Sequence, residues 1–574
     1  PASFGVGGGR EGEASRPTKT TWIHSFKWKP SQFNTIDFLI SVRKSGSGVE
    51  KIGNIFKNGI DTDSTDQIIQ YKMLTLRCGF DQTKHGFLNP CQDVLDDSFP
   101  SMGGGDNNEN YKPAAFYPTN PYDNQAHSCH LILSKDASGD YAMICENGDI
   151  IEDNAIVEFS YAVDQEPHYR WKPLRVRYDK TAELKSGQKN YGNAYHVANG
   201  NWHSIHNPVT DTMLSTGENI PEETMDDVYY DRKKERNFTR NLRHFHNTGV
   251  KKMLIDKVTK RGNSLIDFSV GKAGDLSKWT HSNLGFVFGL DISRDNIENK
   301  HDGACVRYLK ARRDNRAVPY CLFINANASL NIKSGLAAFT EKGKEIAQSI
   351  FGEIPKNQKL GEAVARQYGV VKKGFDVGSC QFSLHYFFEN NDTLQGFLRN
   401  ITECIKEGGY FIGTCYDGSK IFNALKEKKR GESCCILQEG EEKVWEVVKN
   451  YDSDVFKPDE TSVGYAINVY QETINKYFRE YLVNFDYLIR VMENYGFKPV
   501  NQTEAKELGL PEGVGNFKQL YNTSFQMSPD ERKISYYNNY FVFKKVRTVD
   551  AEKVKLTLTD ESVFEATQNV AETF

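Results

Sequence analysis

Hydrophobic patterning divides the chain into a β-rich first part and a second part in which strands alternate with helices. Short β-type runs separated by turn sequences occur at 35–42, 131–133 and 155–161. This punctuation predicts a small barrel or sheet. From residue 240 onward, apolar strand-like runs alternate with stretches predicted to be helical, at 338–352 and 465–495. That alternation is typical of a doubly wound α/β sheet.

A strand, a glycine turn and a helix follow one another in the second part. The apolar run that starts at Ile266 leads into a turn that contains Gly271, and Leu276 opens the predicted helix. Such a turn lets the backbone approach a ligand, and the helix N-terminus offers free N–H groups. The next buried strand ends at Asp291, and an acid there suits the two hydroxyls of a ribose. An ordinary strand–helix turn stays open as an alternative.

The bulk properties narrow the functional classes. The 574 residues suffice for about three to four domains. No apolar run approaches the about 20 residues that span a bilayer, so no membrane partner is expected. A net charge of −4 and a pI of about 6.4 argue against a broad grip on nucleic-acid backbone. The 11 cysteines contain no CxxC pair, which favours reduced thiols of an intracellular protein over a zinc site or disulfides.

Several segments in the second part resemble a known enzyme family when their order and spacing are considered together. They are His244-Phe-His-Asn247 with Lys251, the glycine turn, Phe375–Glu389, and Gly408–Thr414. Together they resemble the cellular and viral mRNA cap (guanine-N7) methyltransferases, from about Asn237 to Tyr540. The segment with Gln381, His385 and Tyr386 is the most specific part of this resemblance.

The resemblance implies a fold, a cofactor and a substrate. The fold would be an α/β Rossmann-like class I methyltransferase with a mixed seven-stranded sheet, occupying 237–574. S-adenosylmethionine would be the methyl donor, and the capped 5′ end of RNA would be the acceptor. Guanine N7 has a free lone pair and no proton to lose, so we expect no catalytic base and no metal. Proximity and orientation would carry the reaction.

Site residues are carried over by position in this resemblance. Those implied for the donor are Lys251 near the methionine carboxylate, Asp267 and Gly271 on the turn, Asp291 at the ribose, Asn327 at the adenine and Gln381 at the methionine portion. Those implied for the cap are Asn247, His385, Tyr386, Glu480 and Tyr540. This chain departs from the family at Ser269 and Ala273, where the family usually has Gly, and at Asn327, where an Asp is frequent.

The first part resembles the C-terminal portion of mRNA guanylyltransferases and DNA ligases. Phe26-Lys-Trp-Lys-Pro30 followed by Thr35-Ile-Asp-Phe38 is similar to their fifth signature motif, and Trp171–Lys180 to their sixth. An OB-fold lies between these motifs in that family. The resemblance implies GTP contacts from Lys27, Lys29, Arg177, Asp179 and Lys180. The implied boundaries are a nucleotidyltransferase remnant at 1–40, a β-rich OB-fold domain at 41–185 and a polar linker at 186–236.

The nucleophilic Lys of that family lies in a KxDG motif upstream of the fifth motif. Here a KxDG sequence occurs only at Lys300-His-Asp-Gly303, inside the methyltransferase part, so we interpret it as coincidence and expect no guanylylated lysine. Pro1 in place of Met predicts a fragment or a processed product. The order of the parts is that of fused capping enzymes of large DNA viruses, which implies an upstream nucleotidyltransferase and triphosphatase part.

Two other functions remain open. The chain could be a capping-complex scaffold whose cofactor site has decayed, as the residues at 269, 273 and 327 would allow. It could also be an S-adenosylmethionine-dependent methyltransferase of another substrate. Under the leading hypothesis we expect an intracellular protein, in the host cytoplasm, a viral factory or a virion if viral, and in the nucleus if cellular.

Overall fold

The computed structural model describes residues 33–56, 68–99, 111–119, 121, 123, 125–216, 238–437, 443–472, 474 and 476–559. These residues form two compact units. The first contains 33–80 and 111–216, and the second contains 81–99 and everything described from 238 onward. The segment 81–99 therefore belongs to the second unit although the sequence places it inside the predicted OB-fold domain.

The first unit is built on an antiparallel sheet. Its strands are β1 (Ile36–Val42), β2 (Ile52–Phe56), β3 (Ile68–Asp81), β4 (Tyr111–Ala115), β5 (Ser128–Ile132), β6 (Ser134–Lys135), β7 (Tyr141–Ala142), β8 (Ile156–Tyr161) and β9 (Trp171–Val176). The central order is β2-β3-β1-β8-β9, with β4 and β5 also paired to β3, while β6 and β7 form a separate hairpin. The predicted β-rich character is confirmed.

Helices flank this sheet in the sequence. Within 81–99 lie α1 (Gln82–His85) and α2 (Pro90–Leu95), and after a 3₁₀ turn (Pro167–Tyr169) and β9 come α3 (Tyr178–Lys185), α4 (Tyr195–His206) and α5 (Asp211–Thr216). The prediction of a polar linker is wrong for 186–216, because α4 buries Trp202 and Ala198 against the first unit's core. The boundary at residue 40 also differs, since β1 continues across it.

The second unit contains most of the chain. Its helices are α6 (Arg240–His244), α7 (Met253–Val258), α8 (Leu276–His281), α9 (Arg294–Glu298), α10 (Ala304–Asp314), α11 (Glu341–Phe351), α12 (Glu362–Arg366), α13 (Asn391–Cys404), α14 (Gly418–Ala424), α15 (Phe485–Asn494), α16 (Gln502–Glu507), α17 (Pro529–Ser535) and α18 (Ala551–Thr559). A π-helix (Phe245–Lys252) joins α6 to α7, and 3₁₀ turns lie at Gln358–Leu360, Leu384–Phe388, Glu460–Ser462, Phe517–Gln519 and Thr523–Phe525.

Its strands form two sheets. They are β10 (Ser264–Asp267), β11 (Phe286–Asp291), β12 (Tyr320–Asn325), β13 (Phe375–Gln381), β14 (Ile405–Tyr416), β15 (Ser433–Leu437), β16 (Lys443–Lys449), β17 (Ala466–Gln471), β18 (Lys476–Tyr481), β19 (Phe497–Pro499), β20 (Val514–Asn516) and β21 (Asn538–Lys545). The main sheet has the order β12-β11-β10-β13-β14-β21-β19, and β20 adds an eighth strand beside β21.

The main sheet is mixed, as expected for a class I methyltransferase. Strands β10 to β14 run parallel, whereas β21 inserts antiparallel beside β14. Every residue of β11 is buried, which is typical of a parallel strand covered on both faces. The fold class is confirmed for the second unit, and the expected seven strands are joined by the short β20.

The predicted helix at 465–495 is wrong over its first half. Residues 466–471 and 476–481 form β17 and β18, which belong to a separate antiparallel sheet of order β15-β16-β17-β18. Only α15 is helical, and its N-cap Asn484 accepts from the N–H groups of Asp486 and Tyr487. The predicted helix at 338–352 is confirmed over 341–351 by α11, and the C-cap residue Gly352 has a φ of 73°. Among the helices described, none has the length and apolarity needed to cross a membrane.

Candidate functional site

Three of the predicted donor residues lie where parallel strands end. Asp267 is the last residue of β10, Asp291 of β11 and Gln381 of β13. Because the carboxyl ends of parallel strands meet at one edge of a sheet, the three side chains share that edge, the usual ligand position in open α/β sheets. The predicted strand-end position of Asp291 is confirmed, whereas Asp267, predicted on the glycine turn, ends β10 just before it. The binding roles of all three residues stay predictions.

Asp291 connects the second strand to the glycine turn. Its Oδ2 accepts the N–H of Gly271 at 2.7 Å, and its Oδ1 accepts from the N–H of Ser293 at 2.9 Å and Nδ2 of Asn296 at 3.0 Å. Burial raises the pKa of Asp291, and these three donors oppose that rise. The carboxylate is thus held rigidly, with one lone pair of Oδ2 left for a further donor.

The glycine turn leaves room for a ligand at its centre. Gly271 has a φ of 53°, and a β-carbon added to it would find no atom within 4 Å. Ala273 adopts a similar φ of 54° but is buried, so one departure from the family pattern is accommodated in a backbone conformation that costs Ala more than Gly. This open turn fits the close approach that a nucleoside ligand needs.

Charged groups are concentrated beneath the turn. Asp275 is paired with Lys278 at 2.7 Å and with Lys251 at 3.3 Å. Burial by itself raises the pKa of Asp275, but the two ammonium groups hold that pKa below its usual value. Burial also raises the pKa of Asp267 to about 7, helped by the Asp275 charge. Lys251 in this cluster suits a ligand carboxylate, and Asp267 in its ionised form suits a ligand ammonium group.

The π-helix carries Lys251 to this cluster. A π-helical turn accommodates an extra residue and is frequent at functional sites. Lys251 Nζ also lies 5.6 Å from the centre of the Phe382 ring, and the His246 ring stacks on that same ring at 5.3 Å. Phe382 has a φ of 57°, a strained conformation for a bulky residue. The sequence reasoning missed Phe382 and Asp275, since local patterns do not reveal strain or ion pairing.

Gln381 and Asn327, the other two residues predicted to bind the methyl donor, have side chains that are oriented by hydrogen bonds. The side chain of Gln381 is buried, donates to Ser379 Oγ at 3.3 Å and accepts from Thr414 Oγ1 at 3.2 Å. Asn327 accepts the N–H of Ser329 through Oδ1 at 2.9 Å, which leaves that oxygen a second lone pair. Both amides are therefore fixed in orientation.

A second cluster brings together two of the predicted cap residues. Glu480 lies on β18 and His385 on the 3₁₀ turn after β13, with His385 Nε2 and Glu480 Oε2 3.6 Å apart. Both side chains are more than 90% buried. Neither nitrogen of the imidazole nor Oε2 of the carboxyl has a hydrogen-bond partner. Buried polar atoms without partners are rare and call for an explanation, such as an absent ligand.

Burial sets the protonation of this pair. It raises the pKa of Glu480 to about 8 and lowers the pKa of His385 to about 3. Both groups are therefore neutral near pH 7 when no ligand is bound. A perturbed acid beside a neutral imidazole is a typical feature of functional sites.

Aromatic side chains surround the pair. The ring of Tyr386 lies 4.2 Å from that of His385. The pKa of Tyr416 is raised mainly by burial and secondly by the charge of Glu480. The hydroxyl of Tyr416 accepts a hydrogen bond from Trp445 Nε1 at 3.0 Å. Tyr416 and Trp445 were missed, because their proximity depends on how β14 meets the second sheet.

Two predicted cap residues are not part of this cluster. Tyr540 is fully buried in β21, and its hydroxyl donates to the carbonyl oxygen of Glu512 at 3.2 Å. Its side chain packs in the core, where it has no free face for a guanine. Asn247 is exposed and accepts from Lys278 Nζ at 3.3 Å, which places it beside the Asp275 cluster instead.

The predicted GTP contacts of the first unit are only partly visible. Lys27 and Lys29 lie outside the described residues. Arg177 and Lys180 both bind Oδ2 of the buried Asp37 at 2.6 Å, and Asp179 is paired with Arg177 at 3.3 Å. Arg177 and Lys180 therefore form ion pairs within the first unit.

The KxDG sequence has a structural role in the second unit. Asp302 and Asp295 pair with the buried Lys272 of the glycine turn at 2.8 and 2.9 Å. Within the part of the chain that the structure describes, no cluster of His, Cys, Asp and Glu could hold a metal ion.

Known proteins resemble this chain across both units. Residues 221–546, more than half of the chain, match the family model of the mRNA (guanine-N(7))-methyltransferase domain. The protein named "Probable mRNA-capping enzyme" of Acanthamoeba polyphaga mimivirus is 26% identical over 92% of this chain and 44% of its own length.

Two further relatives cover different parts. The mRNA-capping enzyme of African swine fever virus is 23% identical over 87% of this chain and 49% of its own length. The mRNA cap guanine-N(7) methyltransferase of Saccharomyces cerevisiae is 26% identical over 55% of this chain and 66% of its own length. The chain thus spans about half the length of the viral relatives.

Proposed function

The chain belongs to the mRNA (guanine-N7) methyltransferase family and takes its methyl group from S-adenosylmethionine, and we propose that it methylates N7 of the cap guanosine of GpppRNA. One observation carries the choice of substrate: the buried pair of Glu480 and His385 has polar atoms without hydrogen-bond partners, and His385 lies on the turn directly after β13, the strand that ends at Gln381. His385 lies only four positions after Gln381 in the sequence, so the two ligands would be held side by side.

The chemistry of the pair suits guanine. A guanine presents N1–H and N2–H donors on one edge, and a carboxylate accepts both, whereas adenine offers no such pair. In this proposal Glu480 accepts these two hydrogens, and His385 supplies a neutral nitrogen. The aromatic rings of Tyr386 and Tyr416 would flank the base. Asn247 and Tyr540 would not contact the guanine themselves. Asn247 would act through its hydrogen bond in the Asp275 cluster, and Tyr540 through its packing in the core.

The residues of the methyl-donor site would orient the bound S-adenosylmethionine and exclude water from it. In the proposal Asp291 accepts one ribose hydroxyl through the remaining lone pair of Oδ2, and Asn327 meets the adenine. Lys251, Asp267 and Gln381 hold the methionine portion beside Gly271. The bound donor supplies a methyl group on a sulfonium centre. Because N7 needs no deprotonation, positioning does the work, and alignment of reacting groups can contribute about 7–11 kcal/mol.

The substrate assignment is tested by binding of cap analogues. In the presence of S-adenosylhomocysteine, titration with GpppG is expected to quench the tryptophan fluorescence of the chain, with binding at least about tenfold tighter than that of ApppA, which contains no guanine. A tenfold preference corresponds to about 1.4 kcal/mol, slightly less than the about 1.5–3 kcal/mol that one hydrogen bond to a charged group contributes. Equal binding of the two analogues would contradict the assignment.

Cap binding should depend on pH through Glu480. Its raised pKa of about 8 keeps the carboxyl protonated in the free enzyme below that pH, and guanine requires the charged form. Affinity for GpppG should therefore rise by up to about tenfold per pH unit from pH 6 and level off near pH 8. Because the pKa of His385 lies far below this window, Glu480→Gln should abolish the dependence; a persistent slope in that variant would assign it elsewhere.

For the first unit, we propose an OB-fold of guanylyltransferase type whose Arg177 and Lys180 approach GTP phosphates once released from Asp37. Asp179, paired with Arg177, would contribute to the same GTP site, with Lys27 and Lys29 as further contacts. The antiparallel β-rich sheet and the similarity to two viral capping enzymes support this assignment. They also support a place for the chain in a larger viral capping enzyme that acts inside a host cell.

This proposal includes an expected negative result. Incubated with labelled GTP and Mg²⁺, the 574-residue chain should form no covalent guanylate, because Lys300 belongs to the loop that holds the glycine turn. The measurement is retention of label after denaturing electrophoresis. An acid-labile adduct that disappears in Lys300→Ala would contradict this domain assignment.

A further inference from the structure

The segment 81–99 is packed into the second unit by buried contacts. Phe87, Val94 and Leu95 are at most 6% exposed and belong to that unit's hydrophobic core. Asp97 pairs with Arg366 of α12 at 2.8 Å. The ring of Phe99 lies 4.9 Å from the Arg316 guanidinium. These contacts fix the segment against the helices that follow β11 and precede β13.

One end of the segment contacts the loop between α9 and α10. The N–H of Phe87 donates to the carbonyl oxygen of Lys300 at 2.8 Å. Gly86 has a φ of 75°, and a β-carbon there would lie 2.2 Å from the same oxygen. No side chain fits between these two backbones. The position of loop 299–303 is therefore set by the segment.

The same loop holds the glycine turn. Asp302 of the loop pairs with Lys272 at 2.8 Å, and Lys272 is only 6% exposed. Lys272 directly follows Gly271, whose N–H is bound by Asp291. A buried ammonium with two carboxylates has little freedom, because separating it from either leaves a poorly solvated charge. A shift of loop 299–303 must therefore move the turn.

Helix α9 provides a second connection. Cys91 of α2 packs near Cys305, and the charges of Glu298 and Arg294 in α9 reach it. The Nδ2 of Asn296, in the same helix, donates to Asp291 at 3.0 Å. The segment thus supports both elements that orient the carboxylate and the turn.

We propose that residues 81–99 are a positioning element of the methyl-donor site, acting through loop 299–303 and Lys272 on the glycine turn. This inference rests on the proposed location of the donor site. It assigns a methyltransferase role to a segment that the sequence places inside the guanylyltransferase-like part. It also gives the Asp of the KxDG sequence a function unrelated to nucleotidyl transfer.

The test uses the full chain and measures two affinities separately. Gly86→Ala should displace Lys300 and weaken S-adenosylhomocysteine binding about fivefold to tenfold in calorimetry, a coupling typical of residues in one network. GpppG binding should stay within about twofold, because the Glu480 pair does not contact this loop. Gly431→Ala is the matched control, since Gly431 also has a positive φ but has no atom within 4 Å of its β-carbon position.

Asp302→Ala tests whether the segment 81–99 acts on the glycine turn through Asp302 or whether the loss of donor affinity reflects general destabilisation of the fold. Its carboxylate is 46% exposed, so the variant should fold, and it should weaken donor binding by a similar factor. In the Asp302→Ala background, Gly86→Ala should add little, because the ion pair between loop 299–303 and Lys272 is already removed. Full additivity of the two changes, or equal losses of donor and cap affinity, would overturn the inference.

The outcome distinguishes this inference from the donor-site assignment. If the unaltered chain binds S-adenosylhomocysteine and Gly86→Ala matches the Gly431→Ala control, the positioning role is wrong and the site assignment stands. If Asp291→Asn binds S-adenosylhomocysteine as tightly as the unaltered chain, the assignment of the site is wrong, and the inference is overturned with it.

Discussion

Replacing Glu480 by Gln is expected to lower turnover on GpppRNA by about ten- to a hundredfold, at about 1.4 kcal/mol per factor of ten. The amide keeps the volume and one acceptor, but it loses the charge and presents an NH₂ group to guanine donors. The loss should be larger in the transition state, because positive charge develops on the purine as N7 is methylated. Initial rates at saturating donor measure the effect.

Donor binding provides the internal control for Glu480→Gln. Glu480 faces His385 and not the strand ends of β10 and β11, so S-adenosylhomocysteine affinity should be unchanged. Arg479→Gln, on the same strand with its side chain exposed, is the matched substitution and should leave turnover intact. Unchanged turnover in Glu480→Gln would place the cap acid elsewhere.

Replacing Asp291 by Asn is expected to weaken S-adenosylhomocysteine binding by about tenfold to a hundredfold, since hydrogen bonds to charged groups are worth about 1.5–3 kcal/mol each. Either orientation of the new amide turns its NH₂ group towards N–H donors, of Gly271 on one side or Ser293 and Asn296 on the other. The turn and the ribose acceptor would be disturbed together. Isothermal titration calorimetry gives the affinity directly.

The control for Asp291→Asn must exclude general unfolding. Asp314→Asn, at an exposed acid that ends α10, should bind the donor like the unaltered chain. Affinity for GpppG should also persist in Asp291→Asn, because the cap pair lies on other elements. Donor binding that survives in Asp291→Asn would show that the end of β11 is not the ribose site.

The parts of the fold that local patterns determine could be predicted from the sequence. The turn at Gly271 and the acid at the end of β11 follow from apolar runs that end in a glycine turn or in a polar residue. Gln381, in the mixed segment 375–381, was given only by the family resemblance. The helix that ends at Gly352 follows from its periodicity and cap. Such signals depend on neighbours in the chain, so one sequence suffices to find them.

Other features depend on contacts between distant residues. The region around Glu480 contains apolar residues at spacings that fit a helix, and only pairing of β17 with β16 and β18 makes it a strand. Tyr540 is buried because Gly515 of the adjacent β20 leaves room for its ring. The segment 81–99 reads as a loop of the first sheet until its packing on α10 is known. No local pattern carries that information.

Product mapping tests the central claim most directly. The chain is incubated with methyl-labelled S-adenosylmethionine and GpppRNA, the RNA is digested with nuclease, and the labelled nucleoside is identified by chromatography against standards. Label in 7-methylguanosine from the cap, and no label with ApppRNA, is the expected result. Label in any other nucleoside, or equal transfer to ApppRNA, would contradict the assignment of this chain as a cap guanine-N7 methyltransferase.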